Sequence, residues 1–178
     1  KKIILKKVDI TNKRNLFKIF KNHQVDNVIH LAAKIDAKES IKKKSIYIKT
    51  NLEGTKNLID LSNLFKVKRF IFASSAAVYG NSNKKFCTER QNKTPINPYG
   101  LSKLLAEEYI IKNLPRTNYY ILRIFNLIGL RNKHRNLYIN RSSVFFKLIK
   151  ASIAKNKKIY LNSFKKNKTN YTTERDFV

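Results

Sequence analysis

The sequence predicts an α/β domain built on a doubly wound parallel sheet. Three observations carry this. Short apolar runs rich in Ile, Val, Phe and Tyr alternate with longer stretches whose apolar residues recur at helical spacing. The helix-compatible stretches are ten residues or more, the length a crossover between parallel strands needs. And 42% hydrophobic residues in a chain of 178 supply one real core, so a wholly disordered polycation is excluded.

Lys2 to Val8 reads as the first strand, followed by a helix over Asn12 to His23 with Leu16, Phe17, Ile19 and Phe20 at helical spacing. Val28 to Ala32 is a second strand. A long helical segment follows from about Ile46 to Phe65, then a third strand over Arg69 to Ala73. Pro98 opens a helix that runs to about Asn113, where Leu114 and Pro115 stop it. Tyr119 to Ile124 is the fourth strand. Beyond Gly129 the pattern loosens: 131–140 is polar, Val144 to Ala154 is helix-compatible, and Lys158 to Leu161 is a short strand. The expected division is a domain over 1–130 and a smaller region over 131–178 at the sheet's ligand-binding end.

Charge invites another reading. With 39 Lys+Arg against 11 Asp+Glu, the formal charge of +28 is of the size that attracts nucleic acid or an anionic membrane. Lysine is spread along the whole chain, however, and comes with a surplus of Asn, Ile, Phe and Tyr, residues that share A/T-rich codons. The charge is therefore read as compositional drift, and a nucleic-acid partner is not expected. Cys87 stands alone, which excludes an intramolecular disulfide framework and a cysteine-based zinc site and fits a reducing, cytoplasmic compartment. No opening Met, basic-then-apolar leader or apolar run near 20 residues is visible, so no signal peptide and no membrane span are expected and the chain reads as an internal piece; no residues are assigned to a metal.

Glycine is the sharpest compositional clue. Only four are present, Gly54, Gly80, Gly100 and Gly129, and each is expected to fill a place where a Cβ is costly. All four adjoin the segments that carry chemistry.

Tyr99 and Lys103 stand at i and i+4, hence on one helix face, where an ammonium favours a phenolate and prepares a base near neutral pH. Alone the pair says little, since chance gives roughly one or two such pairs in so lysine-rich a chain. Ser74 and Ser75 follow the strand RFIF at its carboxyl end, where a parallel sheet presents its ligand. Ser75 is therefore placed to face the Tyr99 phenol across a site. The plain alternative for two serines after a strand is a helix cap or a turn.

Five segments in order, VIHLAA (28–33), NLEGT (51–55), SSAAVYG (74–80), NPYGLSK (97–103) and LRIFN (122–126), resemble the motif series of the NAD-dependent sugar-nucleotide epimerase/dehydratases, extended short-chain dehydrogenase/reductases. SSAAVYG is similar to the form found in UDP-glucose 4-epimerases. Ala76 and Ala77 stand where the related dehydratases carry an Asp-Glu pair and decarboxylases a Glu, and alanine moves no proton. The resemblance implies a Rossmann-like fold lacking its N-terminal Gly-rich part and holding part of a C-terminal substrate lobe. It implies NAD as cofactor and 4-epimerisation of a UDP-hexose through a 4-keto sugar. Tyr99 would be the base, Ser75 would hydrogen-bond the C4 oxygen, and Lys103 would lower the Tyr pKa and hold the nicotinamide ribose.

Asp9 and Ile10 would contact adenine, Ala32 and Ala33 would lie beside the pyrophosphate, and Asn51 would line the cofactor cleft. Asn126, Ser143 and Arg175 would bind the sugar nucleotide. Ser142-Ser143 replaces a common Asn-Asn, and Ile124 a common aromatic. Glucose/galactose, N-acetylhexosamine and uronate remain open as the sugar. The long helices around Asn51 to Leu64 and Tyr99 to Asn113 are candidates for a homodimer surface. A second reading is a non-catalytic Rossmann-like scaffold that binds RNA through its lysines.

Overall fold

A computed structural model of the chain describes residues 3–81 and 87–125. The described elements belong to one compact unit, Lys1–Ile124, and the expected substrate region over 131–178 lies outside the described residues.

Three parallel strands make the sheet in the order β1 (Asn27–His30), β2 (Arg69–Ser75), β3 (Asn118–Ile124). The register pairs Val28 with Phe70 and Phe70 with Tyr119, and ends with Ser74 opposite Arg123 and Ser75 opposite Ile124. All three strands therefore finish on one side. Parallel strands demand crossovers, and helices supply them. Between β1 and β2 run α2 (Ala37–Lys42), α3 (Lys44–Tyr47), a π-helical turn (Ile48–Glu53) and α4 (Gly54–Leu64). A short 3-10 turn (Ala76–Tyr79) and α5 (Pro98–Asn113) connect β2 to β3. Before β1 lies α1 (Lys13–Asn22).

Alternation along β2 decides what is buried. Phe70, Phe72 and Ser74 turn under the helices, and the two phenylalanines are fully buried against Ile59, Leu61, Ala106, Ile110 and Leu114. Each such side chain contributes roughly 1.5–3 kcal/mol relative to exposure. Leu16 and Phe20 of α1 close the same core. The other sheet face is open among the described residues: Ile29 is 64% exposed and Leu122 49%.

The helix expected from Pro98 to Asn113 forms over those residues. Its entry is specified by the Asn97 side chain, which accepts from the Gly100 N–H at 2.8 Å, and by proline at the first turn, where no N–H is needed. The long helix expected from Ile46 to Phe65 is present, but its middle is a π-turn. The strand expected over Lys2 to Val8 is not formed: residues 3–8 have no ladder partner among the described residues, and Ile3, Ile4 and Leu5 are exposed. An apolar run becomes a strand only when a neighbour takes its backbone hydrogen bonds. The one-turn-and-a-half helix α2 was not anticipated, because AKESIK has no apolar stripe. Asp36 specifies it, accepting from the N–H groups of Lys38 and Glu39 at 2.9 Å each.

Candidate functional site

The site forms where β2 ends and α5 begins. Ser75, the last residue of β2, is extended, and its Oγ accepts from the Ala77 N–H at 3.2 Å. That bond caps the 3-10 turn, so the turn-forming role of a serine here is real. It also leaves the hydroxyl proton free on the side of the Tyr99 phenol, whose pKa the nearby Ser75 side chain lowers. Tyr99 sits in the first turn of α5 with the Tyr47 ring edge-on to it, centroids 6.5 Å apart.

Two glycines make this approach possible. A Cβ on Gly100 would lie 2.5 Å from the Ala77 carbonyl oxygen, so glycine lets α5 touch the turn that follows Ser75. Gly80 ends the turn at φ 65°, a left-handed conformation open to glycine, and its Cα faces the Thr94 carbonyl.

Lys103 lies one turn after Tyr99, on the same face. The residue is 3% exposed, and its ammonium donates to the Ala73 carbonyl at 2.7 Å and lies 4.7 Å from the centre of the Phe72 ring. Burial pulls its pKa down to about 8, with the Glu107 charge opposing the fall. Tyr99 moves the opposite way from the sequence expectation. Burial holds the phenol above its ordinary range, the nearby Ser75 side chain draws it part of the way back, and the Lys103 ammonium donates to Ala73. Desolvation disfavours both charged forms, the ammonium and the phenolate, and here it outweighs their proximity.

Asn51 is 1% exposed and does not present its amide to a cleft. Its Oδ1 accepts from the Lys34 N–H at 2.8 Å, and its Nδ2 donates to the Lys34 carbonyl at 2.9 Å and to Ser102 Oγ at 3.0 Å. Ser102 in turn donates to the Tyr99 carbonyl at 2.7 Å. Asn51 thus ties the segment after β1, which contains Ala32 and Ala33, to the helix turn that carries Tyr99 and Lys103. The π-turn that holds Asn51 places it facing both.

His30 is buried beside Phe72 and Lys103. Thr55 gives its one hydroxyl proton to the Asn51 carbonyl at 2.5 Å, so the 2.8 Å contact with His30 Nε2 requires His30 to donate, which fixes the tautomer. Burial, then the Lys103 charge, lowers its pKa to about 3, so the ring is neutral and structural.

Asp9 lies on the surface before α1. Its carboxylate accepts from the Thr11 N–H at 2.8 Å and hydroxyl at 2.9 Å, which lowers its pKa. Ile10 packs on Gly54, where a Cβ would come within 2.6 Å of the Ile10 side chain. Ala32 is exposed and Ala33 half-buried, both just past the end of β1. Asn126, Ser143 and Arg175 lie outside the described residues. Among the described residues no cluster of three His, Cys, Asp or Glu could hold a metal, and no helix is long and apolar enough to cross a membrane.

Sequence reasoning missed Glu107 and Arg123. Glu107 is 1% exposed, and the Arg123 guanidinium holds it from β3, its Nη2 donating to Oε2 at 2.8 Å. The signals were an acid four residues after Lys103 and an arginine inside the apolar run YYILRI.

The profile of the NAD dependent epimerase/dehydratase family matches residues 1–178. The chain belongs to that family. UDP-glucose 4-epimerase 2 of Oryza sativa subsp. japonica is 38% identical to it over 126 residues, 69% of this chain and 31% of the rice protein. The structure is similar to that of the UDP-Glc/GlcNAc 4-epimerase of Campylobacter jejuni, with a TM-score of 0.65 and 34% identity over 67% of this chain and 37% of the other. It is likewise similar to the UDP-glucose 4-epimerase of Bifidobacterium longum in complex with NAD+ and UDP, with a TM-score of 0.67, 32% identity, and 71% and 39% covered. The three parallel strands and their covering helices are thus part of the Rossmann-like sheet of the epimerase/dehydratase family. This family member spans about a third of the length of the curated relatives it matches.

Proposed function

We propose that these residues form the catalytic part of a UDP-sugar 4-epimerase of the glucose/galactose type. The observation that carries the reading is the convergence of Ser75, at the carboxyl end of β2, and Tyr99, in the first turn of α5, close enough for the Ser75 side chain to lower the phenol's pKa, with Lys103 one helical turn away.

NAD suits the donor set. The Lys103 ammonium has three N–H donors and makes one hydrogen bond among the described residues, to Ala73, which leaves donors for ribose hydroxyls. When bound, NAD supplies the acceptor and donor of hydride that the protein's own side chains lack. Everything else falls to the chain. Tyr99 takes the proton from the sugar C4 hydroxyl and later returns one to the same oxygen. Ser75 turns its one hydroxyl proton to that oxygen when the sugar is bound. Lys103 offsets the negative charge of the phenolate once a ligand draws the ammonium from Ala73. Ala76 and Ala77, beyond Ser75, offer no second acid or base, which favours epimerisation over elimination of water. Asp9, Ile10, Ala32 and Ala33 are assigned to the cofactor side, Asn51 to the support of that side, and Asn126, Ser143 and Arg175 to the sugar nucleotide.

The test is conversion of UDP-galactose to UDP-glucose by the full-length protein with NAD+. Tyr99→Phe should lower kcat by roughly a hundredfold or more, the loss expected of a missing general base. An unchanged rate in that variant would remove Tyr99 from the chemistry.

A further inference from the structure

The buried carboxylate of Glu107 gathers one whole rung of the sheet. Ser74 on β2 and Arg123 on β3 are partners across the ladder, one position before Ser75. Ser74 Oγ donates to Glu107 Oε1 at 2.5 Å. Arg123 Nε donates to Oε1 at 3.0 Å and Nη2 to Oε2 at 2.8 Å, a fork on the same carboxylate. The remaining arm of Arg123, Nη1, donates to the Tyr79 hydroxyl at 2.8 Å and to the Glu89 carbonyl at 3.0 Å. One ion pair therefore joins α5, the ends of β2 and β3, the 3-10 turn and the segment after it.

Stability alone is a weak reason for such a pair. Removing two charges from water costs about as much as their attraction returns, and apolar residues of similar size often serve as well. What the pair does provide is registry. Three successive residues of β2 face three turns of one helix face of α5: Ala73 accepts from Lys103, Ser74 donates to Glu107, and Ser75 stands close enough to Tyr99 to lower the phenol's pKa. The strand cannot slide along the helix without breaking the contact of Ser74 with Glu107.

We propose that Ser74, Glu107 and Arg123 are positioning residues that hold the Ser75 hydroxyl against the Tyr99 phenol. The inference rests on the acid–base reading of that pair given above, and its principal test does not depend on turnover.

Tyr99 can be titrated in the full-length protein as an ultraviolet difference against the same background carrying Tyr99→Phe. The groups facing the phenol are Ser75 from β2, Tyr47 from α3 and Lys103 on its own helix, with His30 of β1 facing Lys103 in turn. Ser75 donates to the phenolate, so Ser75→Ala moves the midpoint up. Ser74→Ala should move it up as well, and the double variant should move it no further than Ser75→Ala alone, because the two act through one contact. Ser74→Thr, which keeps a hydroxyl and suits a strand, should restore the wild-type midpoint. UDP-galactose turnover should show a kcat about tenfold lower in Ser74→Ala with KM unchanged, the signature of lost orientation.

Glu107→Ala would bury the Arg123 guanidinium without its counter-charge and threatens folding, so the Ser74 variants carry the test. A Tyr99 midpoint unmoved by Ser74→Ala, or shifts that add in the double variant, overturns the proposal even if thermal stability falls. If the titration behaves as expected and no UDP-sugar is turned over, the positioning role stands and the epimerase reading fails.

Discussion

Lys103 donates to the backbone carbonyl of Ala73 across 2.7 Å, although Tyr99 is the neighbour its spacing predicts. The contact follows from burial. An ammonium sealed under Phe72 needs an acceptor, and Ala73 is the backbone acceptor it meets on β2.

Burying that charge has a stability cost with a definite pH dependence. Between the folded value of about 8 and the ordinary 10.5 the unfolded chain binds more protons, so stability rises with pH across that window. Below pH 8 the cost is present in full. It corresponds to about 3 kcal/mol at 1.4 kcal/mol per pH unit, and it vanishes above the unfolded value. Lys103→Met keeps the aliphatic bulk without the charge. It should therefore raise the unfolding free energy by up to about 3 kcal/mol at pH 7, less what the orphaned Ala73 carbonyl loses, and abolish turnover. Urea unfolding at pH 7 and pH 10 measures it: the variant's advantage must shrink at the higher pH. An advantage independent of pH would mean that burial leaves the lysine's pKa at its unfolded value, with no protonation cost to relieve.

His30 gives the complementary acid effect. The ring is neutral in the fold with a pKa of about 3, while in the unfolded chain it protonates near its ordinary value of 6.5. Stability is thus complete above pH 6.5 and declines as pH falls toward 3, by at most about 1.4 kcal/mol per unit from this one group. His30→Asn keeps a donor for Thr55 without the titration. Thermal unfolding of the variant should be less stable than wild type at pH 7 and should lose less than wild type between pH 6.5 and 4.5. Parallel curves for the two proteins would clear His30 of the acid sensitivity.

How far the sequence revealed this arrangement depended on whether a residue's partner was local. The helix from Pro98 to about Asn113 was legible, because Asn97, Pro98 and the Leu114-Pro115 pair act within one turn of its ends. Ser75, Tyr99 and Lys103 were legible because motif order carries them. The strand expected at Lys2 to Val8 was not, since alternation records a residue's own preference and says nothing of a neighbouring strand. Nor was the direction of the Tyr99 shift: i,i+4 spacing gives proximity to Lys103, but burial and the rival acceptor on Ala73 belong to the tertiary structure. Glu107 and Arg123 escaped notice for the same reason. In a chain of +28 a single Glu and Arg read as solvated, and only the fold places them opposite each other in the interior.

The glycines give the last prediction, because two with equally close neighbours should behave differently when substituted. A Cβ on Gly100 meets the Ala77 carbonyl oxygen at 2.5 Å, and that oxygen is backbone, fixed by the 3-10 turn. A Cβ on Gly54 meets Ile10 Cδ1 and Cγ1 at 2.6 Å, atoms of a partly buried side chain that can rotate away. Both glycines are helical, so alanine gains up to about 1 kcal/mol of helix propensity at either place. At Gly100 that gain is set against forcing α5 off the turn, at a gross cost of about 1–3 kcal/mol or more. Gly100→Ala should therefore lower stability, and it should shift the Tyr99 titration as well, because the displaced segment carries the phenol. Gly54→Ala should be close to neutral and leave Tyr99 untouched. Combining it with Ile10→Ala should cost less than the sum of the two single changes, since the new methyl fills part of the space the isoleucine leaves. Urea unfolding of the four proteins, with Gly100→Ala as the fifth, decides the matter: equal losses at Gly54 and Gly100 would refute the distinction between a yielding side chain and a fixed carbonyl.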